Sequence, residues 1–143
     1  MIDSMTIPKT LAIDVGTVRI GLAVSYGTLA EPLKIIPVDG TEIDAIMAIC
    51  AEEGIAQLLV GISEAEMALY SRAFAEELQR VLNLPILFAD ETLSSYEATA
   101  RQLQHSNPGT HRKHIDDKAA AVFLQEWLEV QTDVAQQLPH HLK

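Results

Sequence analysis

Apolar residues fall into two kinds of run along this chain, short unbroken ones bounded by turn residues and longer ones spaced at three and four. The first kind predicts strands at residues 10–15 and 19–25, separated by Gly16-Thr17, which read as the tight turn of a hairpin. Leu33–Val38, rich in β-branched residues and following Ala30-Glu31-Pro32, predicts a third strand, so the three form an antiparallel meander. Thr41 with Asp44 three residues on predicts a side-chain-capped helix through about Glu53, stopped by Gly54. Ala56–Gly61 reads as a strand covered on both faces. From Glu64 to Leu82, Met67, Leu69, Tyr70, Ala73, Phe74, Leu78, Val81 and Leu82 recur at helical spacing. Leu84–Ala89 is a fifth strand, Ser94–Gln104 a further helix, and Ser106-Asn107-Pro108-Gly109 breaks it into a polar loop to about Lys113. A last helix is expected from about Asp116 to near Gln131, with Phe123, Trp127 and Leu128 packing inward. A meander followed by strand–helix units predicts an α/β fold, a mixed sheet with helices on its faces.

Composition narrows the class. At 143 residues the chain fits one domain, and 48% hydrophobic against 21% charged residues describes a packed globule. No run approaches the ~20 apolar residues of a membrane span. The N-terminus lacks the basic-then-apolar layout of a signal peptide, so a soluble, cytoplasmic protein is expected. Cys50, the single cysteine, sits among apolar residues and reads as a core residue. A net charge of −10 excludes wholesale attraction to nucleic acid. The basic residues are unevenly spread, however: Arg101, Arg112, Lys113 and Lys118 lie close together with His105, His111 and His114. A local basic surface and a solvated loop of mixed charge are both consistent with that run.

Acids stand where strands end. Asp14 interrupts the apolar run Leu11-Ala12-Ile13 and Val15, where an ionised carboxylate needs a paired charge, strong donors or a metal. The plain alternative is a turn residue bonding its own backbone. Asp90-Glu91 follows the fifth strand, and Asp116-Asp117 opens the last helix, where Asp116 is also a good N-cap. If the first and fifth strands are near neighbours, these carboxylates can converge on one space. Oxygen ligands suit Mg²⁺ or Mn²⁺ rather than zinc. Two such ions roughly 4 Å apart can hold a scissile phosphate, so the chemistry implied is phosphodiester hydrolysis. Such a substrate would need a basic rim, for which Arg19, Arg112, Lys113 and Lys118 are the candidates.

In this order and spacing, LAIDVGTVRIGLAVS, LLVG, FADETLSSYEA and HIDDKAAAVFLQEWL resemble the YqgF/RuvX family of RNase H-like proteins, over roughly residues 10–130. That family is described both as Holliday-junction resolvases and as nucleases maturing the small-subunit ribosomal RNA precursor. The resemblance implies an RNase H-like fold, with the meander forming one side of a five-stranded sheet beside two parallel strands. It also implies a divalent-metal nuclease centre with Asp14, Glu91 and Asp116 as the acids, Asp117 being one residue from the last of these. The partner implied is nucleic acid, RNA or branched DNA, and a homodimer is left open.

Two departures stand out. Where the family carries V-G-[LF]-P and a polar glycine loop, this chain has Val60-Gly61-Ile62-Ser63 and runs directly into Glu64-Ala65-Glu66. Where it carries D-E-R, this chain has Asp90-Glu91-Thr92, without the fixed bidentate fork that arginine presents to phosphate. They motivate a second reading, a non-catalytic interaction module that keeps the fold and the acids. A third is the phosphate-binding hairpin of actin-like ATPases and sugar kinases, which the I-D-x-G-T motif also resembles. Those enzymes need two such domains around the nucleotide, and this length supplies one.

Overall fold

A computed structural model of the chain describes residues 7–62, 65–90 and 116–137. In chain order the elements are β1 (Thr10–Val15), β2 (Arg19–Tyr26), β3 (Leu29–Pro37), α1 (Glu42–Glu53), β4 (Gln57–Ile62), α2 (Ala65–Val81), β5 (Ile86–Asp90) and α3 (Asp116–Gln137). The strands form one sheet in the order β3-β2-β1-β4-β5. The first three strands are antiparallel, while β4 runs parallel to both β1 and β5. The expected mixed sheet of a meander plus two parallel strands is therefore observed, with β1 at its centre.

Strand alternation divides the sheet between two cores. Leu11, Ile13 and Val15 of β1, with Ile20, Leu22 and Val24 of β2 and Leu58 and Val60 of β4, pack on one side with Ile46 and Ile49 of α1 and Phe74 and Leu78 of α2. Ala12, Ala23 and Leu59, on the other side, meet Ala120, Phe123, Leu124 and Leu128 of α3. Small residues on the sheet let α3 lie close to it. Each fully buried Leu or Ile contributes about 1.5–3 kcal/mol, so these layers fix the sheet's position against its helices. Trp127 packs against the second core and Cys50 is buried in the first, as their settings predict. Burial pushes the Cys50 thiol pKa up, which keeps it protonated and inert.

Several details differ from the sequence reading. β3 begins at Leu29 rather than Leu33, because Pro32 lies inside it. As an outer strand β3 tolerates a residue with no N–H, and the register slips where Ala23 pairs with Pro32 and Leu22 with Lys34, leaving Leu33 as a bulge. The start of α1 is not capped by the Thr41 side chain. Instead the Glu42 carboxylate accepts from the amides of Asp39 and Gly40 at 3.0 and 2.8 Å, and Asp39 accepts from both the amide and the hydroxyl of Thr41. Those bonds hold the Asp39 carboxyl below the usual aspartate range.

On α2 the residues turned inward are Ser71, Phe74, Ala75 and Leu78, whereas Leu69 and Val81 are exposed. The apolar residues on this helix outnumber the places its buried face offers, so periodicity alone selected too many. α3 continues to Gln137, past the expected end near Gln131. The helix expected at Ser94–Gln104 and the loop to Lys113 lie outside the described residues.

Candidate active site

Asp14 is the only residue of β1 that is not buried, and it is half-exposed. Alternation puts it on the α3 side of the sheet, two residues beyond Ala12. Its partner across the ladder on β2 is Gly21, and on β4 the residue after Val60, which pairs with Ile13, is Gly61. Neither neighbour carries a side chain, and both glycines are buried. The strand ends here because Gly16 turns the chain sharply. A Cβ on Gly16 would collide with the carbonyl oxygen of Arg19, so only glycine closes this hairpin without displacing it. The Val38 amide donates to the Val18 carbonyl at 2.9 Å and ties the hairpin's closed end to the end of β3.

The parallel strands terminate at the same edge. β1 ends at Val15, β4 at Ile62 and β5 at Asp90, and Ile62 pairs with Asp90. Glu91, the residue after Asp90, lies outside the described residues, as do Arg112 and Lys113.

Asp116 opens α3 as expected. Gln125 anchors the middle of that helix, its side chain accepting from the Ala30 amide at 2.8 Å and donating to the Thr28 carbonyl at 3.1 Å. Thr28 belongs to the β2–β3 turn, at the opposite end of the sheet from Asp14. Nine residues of helix separate Asp116 from Gln125, roughly 13 Å. Four residues of strand, about the same length, separate Asp14 from Thr10. The sequence reading gave no role to Gln125. Its local sequence carries no distinctive signal, since Glu126 stands beside it between Leu124 and Leu128.

Of the expected basic rim, Arg19 is exposed at the start of β2, beside the closed end of the hairpin, and Lys118 is exposed in the first turn of α3. Both Asp14 and Arg19 engage partners in the fold. Among the described residues no cluster of three or more His, Cys, Asp or Glu forms a metal cage. No described helix is long and apolar enough to cross a membrane.

Comparison with known proteins follows the same outline. The model of the RuvX family, described as Holliday junction resolvase, matches residues 8–130. A protein of Anaeromyxobacter sp. (strain Fw109-5), provisionally named pre-16S rRNA nuclease, is 38% identical over 132 residues, covering 85% of this chain and 96% of its own length. One of Synechococcus elongatus (strain ATCC 33912 / PCC 7942 / FACHB-805), with the same provisional name, is 34% identical over 134 residues, covering 86% and 90%. Among solved structures, T. thermophilus RuvC in complex with Holliday junction substrate superposes with a TM-score of 0.54 at 14% identity, over 87% of this chain and 96% of RuvC. At that identity the likeness speaks for the fold alone, and the fold is RNase H-like.

Proposed function

The chain belongs to the RuvX family, and from that premise we propose that it is a divalent-metal-dependent nuclease hydrolysing phosphodiester bonds of nucleic acid. The observation that carries this reading is Asp14. It is a half-buried carboxylate near the end of an otherwise buried central strand, with Gly21 as its cross-strand partner on β2. The reading assigns Asp14, Glu91 and Asp116 as ligands, and a set of hard carboxylate oxygens fits Mg²⁺ or Mn²⁺. Such ions, when bound, neutralise charge on the scissile phosphate and lower the pKa of water.

The protein's own part is to hold the acids on rigid elements and to draw the substrate in. The estimates of helix and strand length above support Asp116 being level with Asp14 along the sheet. Arg19 and Lys118 would contact phosphates beside them, with Arg112 and Lys113 completing the rim. The whole chain acts as one domain. Precursor small-subunit rRNA is the substrate named for the relatives, and branched DNA the one named for the family and for RuvC.

The experiment is cleavage of single-stranded RNA, duplex RNA and four-way DNA junctions with Mg²⁺ or Mn²⁺, by the wild type and Asp14→Asn. The wild type is expected to cut at least one of these, and the variant to be slower by on the order of a hundredfold or more while remaining folded. No cleavage of any substrate by the wild type would favour the interaction module that the altered Val60-Gly61-Ile62-Ser63 and Asp90-Glu91-Thr92 stretches suggest.

A further inference from the structure

A cavity of about 220 Å³ lies between α2 and β5, lined by Arg72, Ala75, Glu76, Gln79, Ile86 and Phe88. It exists because β5 is the outer strand of the sheet, so α2 overhangs a flank that no further described strand covers. Ile86 is packed against the first core, but Phe88, two residues on along the same face, keeps 41% of its surface exposed. The guanidinium of Arg72 sits over its ring, 4.9 Å from the centroid.

The chemistry of this lining is selective. Ligands of drug size occupy pockets of roughly 300–1,000 Å³, so this one admits a single flat ring system and little more. An arginine plane resting on a part-exposed aromatic ring is a surface on which unpaired bases can stack. Glu76 offers acceptors to exocyclic amino groups. Gln79 offers a further acceptor oxygen while its amide donates to the Leu84 carbonyl at 3.3 Å. Glu76 also repels phosphate, which fixes the polarity of any nucleotide here, base inward and phosphate outward toward Arg72.

We propose that the cavity between α2 and β5 binds an unpaired nucleobase of the substrate strand, stacked on the paired Arg72 and Phe88 side chains. This rests on the nuclease reading for the identity of the strand. Phe88 precedes Asp90, the last residue of β5, by two positions, roughly 7 Å along the strand. A strand whose scissile phosphate lies where β1 and β5 end therefore rounds the outer edge of the sheet and reaches the pocket within a few nucleotides. The consequence is a preference for substrates with an unpaired segment next to the cleaved bond.

The test uses the full chain in EDTA, so that binding is read without cleavage. The probes are a single-stranded RNA carrying 2-aminopurine, its fully paired duplex, and free AMP. Wild type should bind the single strand and quench the 2-aminopurine by stacking. Phe88→Ala should bind the single strand on the order of tenfold or more weakly, lose the quenching and bind the duplex unchanged, whereas Phe88→Tyr should behave as wild type. Free AMP should compete only weakly, because the strand's phosphates supply part of the affinity. AMP binding as tight as the strand's would instead make this a free-nucleotide site and overturn the proposal, as would Phe88→Ala binding the single strand as tightly as wild type. The two readings fail separately. A chain that cuts nucleic acid but ignores Phe88→Ala keeps the nuclease and loses the pocket, and one that stacks a base on Phe88 but cuts nothing does the reverse.

Discussion

Asp14 shows how much one position can constrain. The residues before it on β1 are fully buried, and a charge among them would be costly unless the fold opened space beside it. Gly16 is the complementary constraint, since the hairpin closes only if nothing projects toward the Arg19 carbonyl. Gly16→Ala should therefore destabilise the fold by about 1–3 kcal/mol, read as a lower urea midpoint at unchanged slope. Wild-type stability in that variant would show that the turn has slack and that Asp14 is held by other means. A hydroxyl network plays the matching part at the other end of β1. The Ser25 hydroxyl accepts from the buried Thr10 amide at 2.8 Å, and Gln57 donates to the Thr10 hydroxyl at 2.9 Å, so polar groups sealed inside the sheet are satisfied.

At the scale of elements, the placement of α3 depends on small sheet residues beneath it and on Gln125 at its middle. Gln125→Ala removes one bond to the β2–β3 turn and one to β3, and should cost about 1–2 kcal/mol in urea unfolding, with faster amide exchange at Ala30 than elsewhere in β3. An unchanged midpoint and uniform exchange would mean that apolar packing alone sets the helix. The elements themselves were legible in the sequence where a single force dominates. Unbroken apolar runs gave β1, β2, β4 and β5 within a residue or two, and Asp14 stood out because it broke one of them. Legibility failed where local signals compete with tertiary context. Pro32 reads as a breaker until β3 is known to be an edge, and Thr41 reads as a cap although Asp39 and Glu42 take the amides. Leu69 and Ser71 exchange their expected places because α2 has only one side to bury. In the candidate site, strand parity identified the Asp14 position. The anchoring role of Gln125 could not be read, since it depends on a contact spanning 97 residues of sequence to Thr28.

Across the whole molecule the difficulty is electrostatic: a chain of net charge −10 is proposed to act on a polyanion. The account resolves it by position, with Arg19 and Lys118 exposed on the elements that carry Asp14 and Asp116, and with divalent cations offsetting the acids themselves. The same idea makes the folded state a metal sensor. On the proposed reading three carboxylates share one space and repel one another without a cation, so a bound ion stabilises the native state by mass action. At a free Mn²⁺ concentration a hundred times the dissociation constant the gain is about 2.7 kcal/mol, enough to raise the melting temperature by several degrees in a chain of this length. The most direct measurement is thermal melting of wild type and Asp14→Asn, each with EDTA and with Mn²⁺. A shared metal site raises the melting temperature of the wild type by several degrees and that of Asp14→Asn little or not at all; a wild type indifferent to Mn²⁺, or a variant that responds as fully, would contradict that site.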